Sequence, residues 1–271
     1  MGKLAPKTQV LYHVGFAPKQ LKGAKYALLP GDPGRVKALA EALGPAEFVA
    51  CHREYTSYLA DLAGVPILVC STGMGGPSVA IGLEELARAG VTHFIRVGTT
   101  GSIQENIELG DLIINDSAIR LDGTSDHFAP MEFPAVADLT ITQALIEGAQ
   151  KVKAPYHVGT SVSSATFWPG QERYDSFTGY VPRRFQGSLK EWQALGATNC
   201  EMEAATLFVV ARVFGLQAGC VCGVVAKRTK NEHVAPPEVY RNAEQAFQQT
   251  VKEALLMLTK KNKPITRKNS K

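Results

Sequence analysis

Short apolar runs of β-forming residues alternate with helical stretches along nearly the whole chain, and this alternation restricts the fold more than any other feature. KYALLPG (25–31) has the make-up of a strand ending in a turn, and RVKALAEAL (35–43) follows with helical spacing. PILVCST (66–72) is apolar, runs into the glycine-rich GMGGPS, and precedes the helical VAIGLEELARA (79–89). HFIRVGTTG (93–101) repeats the strand-then-glycine scheme. DLIINDSAIRL (111–121) and HVGTSVSSA (157–165) read as strands around the helical LTITQALIEGAQ (139–150). The helix AATLFVVARVF (204–214), the strand QAGCVCGVVA (217–226) and the amphipathic EVYRNAEQAFQQTVKEALLML (238–258) complete the pattern. Fully apolar strands are buried on both faces, and strands interleaved with helices pair in parallel. The expectation is one α/β domain, a mixed and mostly parallel twisted sheet flanked by helices. A chain of 271 residues can bury such a core, and no repeat or Pro/Gly/Ser-rich linker divides it.

Charge places the domain's end. The net charge is +4, but the last twelve residues, KKNKPITRKNSK, carry six positive charges and no acid. Removing those six leaves −2 over the other 259 residues. The reading is a domain over 1–259 and a disordered basic tail over 260–271, with no nucleic-acid partner. The five cysteines are odd in number and form no C-x-x-C pair; Cys70, Cys220 and Cys222 fall in strand-like runs. That usage fits buried thiols in a reducing compartment. A signal-peptide core is missing from the N-terminal stretch, and Pro6 departs from a myristoylation signal. No apolar stretch approaches the roughly 18 residues of a membrane span. A cytoplasmic protein without membrane partners is expected.

In α/β sheets, ligands gather beyond the carboxyl ends of strands. Three such ends carry glycine: PGDPGR (30–35), STGMGGPS (71–78) and RVGTTG (96–101). Singly, each is as well explained as a turn. Together they offer backbone N–H groups beside Arg35 and Arg96, a combination that holds phosphate. Neither G-x-G-x-x-G nor a P-loop is present, so free phosphate or a small phosphate ester is the anion of choice.

Other constellations stay open. Asp122, Asp126 and His127 in RLDGTSDHF form either a turn or a site, the turn being the first reading. The histidines are scattered without metal-ligand spacing, and G-x-S-x-G is absent. SSATFWPGQERYDSF (163–177) gathers Phe167, Trp168 and Tyr174 around Gln171 and Arg173. It is either a polar loop capped by core aromatics or a site for a flat heterocycle, whose C(=O)–N–H edge a glutamine can read with one donor and one acceptor. In TNCEMEAATL (198–207), Glu201 and Glu203 open an apolar helix, where negative charge favours the helix dipole.

PGDPGR, CHREY (51–55), STGMGGPS, FIRVGTTG, RLDGTSDHFAP, TFWPGQERYD, GSLKEWQALGATNCEMEAATL and VVAKRT together resemble the nucleoside phosphorylases of the hexameric purine and uridine enzyme fold. The pairing of GQER with EME is similar to the uridine-cleaving branch. The resemblance implies a phosphorylase/hydrolase-like fold and reversible phosphorolysis of uridine, and of 2′-deoxyuridine, to uracil and the sugar 1-phosphate. No cofactor is required, and phosphate is the co-substrate. It further implies that Gly31, Arg35, Arg96 and Thr99 hold phosphate, with Arg53 arriving from a neighbouring subunit. His13 would cross the same boundary to the ribose 5′-hydroxyl, Glu203 would bond the 2′- and 3′-hydroxyls, and Met202 would pack on the sugar. Phe167, Gln171, Arg173 and Arg228 would meet the base, and Glu201 would orient the base-reading side chains from behind. Arg96, Glu203 and Arg228 are the implied catalytic groups. In some members a glutamate matching Glu54 helps bind a monovalent cation such as K+ at a dimer interface. The assembly implied is a hexamer built as a trimer of dimers.

Related purine enzymes place an aspartate after the last core strand to protonate the base. Here Ala226 and Lys227 stand there, and the nearest acid is Glu232. General acid catalysis contributes typically about 10²–10⁴-fold, so its loss disfavours a purine substrate. The alternatives are a purine nucleoside phosphorylase and a catalytically silent phosphate- or nucleoside-binding homologue. Met74 and Trp168 have no role in the resemblance.

Overall fold

The computed structural model describes residues 2–229 and 232–261. Its strands are β1 (Tyr26–Leu29), β2 (Ala46–His52), β3 (Tyr55–Leu62), β4 (Val65–Cys70), β5 (His93–Ser102), β6 (Leu112–Leu121), β7 (Ala135–Val136), β8 (Tyr156–Ser164), β9 (Asn199–Glu201), β10 (Gln217–Arg228) and β11 (Glu232–Val234). The helices are α1 (Val36–Leu43), α2 (Gly76–Arg88), α3 (Leu139–Val152), α4 (Ser188–Ala194), α5 (Ala204–Val213) and α6 (Pro237–Lys261). The predicted α/β domain is present. Because α6 runs through Lys261, the expected tail loses its first two residues to the helix, and the remainder lies outside the described residues.

The centre of the sheet is parallel: β4, β1, β5 and β10 lie side by side. β6, β8 and β9 form a second parallel group. Antiparallel pairs join the two, β10 to β6 and β9 to β5, so β5–β10–β6–β8–β9 closes on itself. The hairpin β2–β3 continues the sheet antiparallel past β4. The reading of helices and apolar strands did not resolve this hairpin or the short β9 and β11.

All four residues of β1 are buried, as a strand covered on both faces requires. On one face, α2 and α5 pack with Leu11, Phe16 and Phe94; on the other, α1, α3 and α6 pack with Leu28, Ile95 and Ile114. Each such side chain contributes about 1.5–3 kcal/mol when fully buried. Asp138 caps α3 by accepting from Thr140 N and Ile141 N. Cys70, Cys200, Cys220 and Cys222 are buried free thiols and Cys51 is exposed. Burial pushes Cys70 up to about 12 and Cys200 to about 11, so both are protonated at neutral pH. Among the described residues no helix is long and apolar enough to cross a membrane.

RVGTTG is not a loop. Gly98–Ser102 continue β5, paired with Cys222–Lys227 of β10, and Gly101 also pairs with Cys200 of β9. The glycines serve close approach instead: a Cβ on Gly98 would lie 3.0 Å from Arg96 Nη2.

Candidate active site

A cavity of about 600 Å³ opens at the carboxyl ends of β1, β4, β5 and β10. Two of the glycine-bearing ends meet there as loops. Thr72 N donates to Pro30 O at 2.9 Å, and a Cβ on Gly31 would come 3.1 Å from Gly73 O. Gly73 and Gly75 have φ of 70° and 91°, a backbone region glycine enters without strain. That turn aims Gly75 N into the cavity wall, where it donates to Glu203 Oε1 at 2.6 Å.

Arg96 forms the floor. Its Nη2 lies 2.5 Å from Glu203 Oε2. Its Nε lies 3.1 Å from Glu201 Oε2, near enough for an ion pair but not aligned for a hydrogen bond. Burial opposes the Arg96 charge, yet Glu203 foremost and Glu201 also more than offset it, and its pKa is raised. For Glu203, burial outweighs the attraction of Arg96, Glu201 adds repulsion, and the pKa rises. The two acids have separate duties. Glu201 Oε2 accepts from Glu203 N and Ala204 N, both at 2.8 Å, so it caps α5, while Ser161 Oγ donates to its other oxygen. Glu203 makes no cap and lines the cavity beside Met202. The structure therefore turns Glu201 toward Arg96 and α5, not toward the base-reading side chains as expected.

Gln171 and Arg173 stand at one end, set by the turn Pro169–Gln171 that follows β8. The Arg173 guanidinium lies 4.1 Å over the Phe167 ring, and Trp168 meets Phe167 edge-on at 5.2 Å. Trp168 thus steadies the aromatic wall. Met74, 85% exposed, sits at the cavity mouth. Arg228 does not line the cavity; its Nη2 donates to Gln171 O at 2.9 Å, supporting the Pro169–Gln171 turn from behind. Desolvation lowers its pKa, and Arg173 lowers it further.

Gly31, Arg35, Arg96 and Thr99 line the same cavity. Arg35 Nε pairs with Glu244 Oε1 at 2.8 Å, and its Nη2 donates to the Tyr240 hydroxyl. Both partners sit on α6, and nothing local in PGDPGR signals them. Asp32 accepts from Gly34 N at 2.8 Å and shapes the turn.

His13 and Arg53 are not in this cavity. They form a separate patch with Tyr12, whose ring lies 4.9 Å from His13 and 5.6 Å from the Arg53 guanidinium. His13 Nδ1 is 2.8 Å from Glu85 Oε1, and the buried Glu85 also accepts from His13 N and Val14 N. The ring's Nε2 has no hydrogen bond among the described residues. Glu54 neighbours this patch, packed against Gly73, with no ion pair to its carboxylate among the described residues.

The two open readings resolve in opposite ways. Asp122 is 3% exposed and accepts from Ser125 N, Ser125 Oγ and Thr206 Oγ1, so DGTSDH is a structural turn tied to α5. The 163–177 stretch builds the cavity wall. Glu232 is the residue that sequence reasoning undervalued: β11 pairs with the end of β10 and carries it to the rim beside Val234. Its position after VVAKRT was visible, but not its direction.

Residues 25–256 match the sequence profile of the Phosphorylase superfamily. A uridine phosphorylase of Klebsiella aerogenes is 52% identical over 222 residues, covering 82% of this chain and 88% of that relative. One of Haemophilus influenzae is 46% identical over 249 residues, covering 92% and 99%. A guanosine phosphorylase of Halorubrum lacusprofundi is 38% identical over 198 residues, covering 73% and 76%. With a profile spanning most of its length and relatives this similar over three quarters or more of their chains, this protein belongs to the phosphorylase superfamily.

Proposed function

We propose that the protein is a pentosyltransferase of nucleoside salvage that cleaves uridine, and 2′-deoxyuridine, with phosphate in a reversible reaction. The observation that carries this reading is Arg96 paired with Glu203 in one cavity that Gly31, Arg35, Thr99, Gln171 and Arg173 also line. Phosphate binds at the Arg35–Arg96 end and Glu203 accepts from the ribose hydroxyls. Met202 lies along the sugar, and Gln171, Arg173 and Phe167 receive the base, with Arg228 behind them. Phosphate so fixed is both nucleophile and counter-charge to the oxocarbenium-like sugar. Alignment of this kind is worth up to about 7–11 kcal/mol. The guanidiniums at the base end stabilise the departing uracil anion in a partly dry site. Names of relatives at 46–52% identity support uridine over purine.

His13 and Arg53, set apart from the cavity, support a site completed by a second copy, and with it a hexamer built as a trimer of dimers. In that arrangement Glu54 carboxylates from two copies offer hard oxygen donors for one monovalent cation such as K+. The reaction needs no organic cofactor, and a cytoplasmic location fits its role.

The test is absorbance of uridine and inosine with and without phosphate. Phosphate-dependent loss of uridine, with inosine untouched, is expected. Equal cleavage without phosphate would make the enzyme a hydrolase, and preference for inosine would make it a purine phosphorylase.

A further inference from the structure

Two guanidiniums stand side by side at the base end, Arg173 with its side chain 5% exposed and Arg228 with 6%. Arg173 Nε and Arg228 Nη1 are buried without a hydrogen-bond partner. One carboxylate reaches both: Glu232 Oε2 lies 2.5 Å from Arg173 Nη1 and 3.6 Å from Arg228 Nε. Among the described residues it forms the only ion pairs of either arginine. Glu232 arrives on β11, a three-residue rim strand whose residues are all exposed. It is absent from the core and caps no helix; its ion pairs are with these two arginines.

We infer that Glu232 sets the charge of the base end and thereby makes the site select an uncharged pyrimidine over one bearing a carboxylate. The inference rests on the proposed reading that the base lies against Gln171 and Arg173. The two guanidiniums and the one carboxylate within ion-pair distance of them leave a single positive charge, with Asp175 attracting Arg228 from beyond that distance. That charge matches the single negative charge which uracil acquires as it departs. Without Glu232 the uncompensated pair would attract a permanently anionic base, and with it a carboxylated pyrimidine meets a like charge at the rim.

The probe is 5-carboxyuracil, compared with uracil as an inhibitor of uridine cleavage by the full-length enzyme. In Glu232→Gln, inhibition by 5-carboxyuracil relative to uracil should strengthen at least about tenfold, the scale of one lost neighbouring charge. Glu232→Asp, which keeps the charge, should stay near wild type in this ratio, and the KM for phosphate should not move in either variant. If activity in a variant is too low, calorimetric binding of the two bases reads the same ratio. A ratio unchanged in Glu232→Gln overturns the inference, as does an equal shift in Glu232→Asp, which would assign the effect to shape. Wild-type protein that fails to cleave uridine overturns the underlying reading instead.

Discussion

Arg96 and Glu203 form a buried ion pair, Nη2 to Oε2 at 2.5 Å, in the lining of the cavity. In the proposed function, this one guanidinium links the nucleophile's seat to the residue that receives the ribose. Glu203 comes from the α5 entrance and Arg96 from mid-β5, so the link exists only once the sheet has formed.

Removing the guanidinium isolates the two ends. Arg96→Ala should raise the KM for phosphate more than that for uridine, read from the two saturation curves. It should also lower stability by about 3–5 kcal/mol, because Glu201 and Glu203 remain buried without their counter-charge. An unaltered phosphate curve would take Arg96 out of the phosphate site.

Glu203 has a raised pKa, mainly from burial, above its ordinary value of 4.5. Such a carboxyl contributes fully to stability below 4.5, and that contribution is lost as pH rises through the folded-state value. Glu203→Gln cannot ionise. Its melting temperature relative to wild type should therefore climb between pH 4.5 and 7, added to a constant loss from the weakened Gly75 or Arg96 bond. A flat difference across that range would show that the shift has the wrong sign.

Sharing of sites between copies has its own signature. Arg53→Ala and Glu203→Ala should each lose kcat/KM by about 10²-fold or more, the scale of one lost transition-state contact. Mixed by refolding or co-expression, the two inactive variants should regain activity, because some sites then contain both intact residues. Mixtures that stay inactive would place Arg53 in service of its own chain.

Asp122→Ala should act on stability alone. It strands two donors of Ser125 and the Thr206 hydroxyl, a loss of at least about 2 kcal/mol in urea unfolding. The KM values of the folded fraction should be unchanged. A selective loss of uridine affinity would reopen the site reading of this turn.

Helix packing offers a control far from the cavity. A Cβ on Gly148 would sit 2.5 Å from Thr250 O of α6. Gly148→Ala should cost about 1–3 kcal/mol, as overpacking does, with kinetics retained. No change in melting would mean that α3 and α6 separate freely.

Much was legible from residue order. The apolar runs at β1, β4 and β10 and the helical spacing of α1, α2, α3, α5 and α6 were sufficient for the α/β class, because burial on two faces leaves a one-dimensional trace. The hairpin β2–β3 was passed over: β2 is a largely exposed edge strand with an irregular register, which blurs the alternation. The site residues Gly31, Arg35, Arg96, Gln171, Arg173 and Glu203 stand in recognisable segments, and all six line one cavity.

What the chain order determined by itself was the kind of layered domain and which polar segments sit at strand ends. Direction was decided in three dimensions. Glu201 and Glu203 are two residues apart and both line the cavity, yet one accepts from the first N–H groups of α5 and the other from Gly75 N. Asp122 reads first as part of a turn, and only the fold shows it as a buried brace of α5; Glu232 looks incidental in sequence and meets two arginines. Periodicity reports which side chains avoid water, a property of each residue and its near neighbours. Which charge meets which depends on strand pairings such as β10 with β6 and β5 with β9, formed between segments far apart in sequence, and no local pattern encodes them.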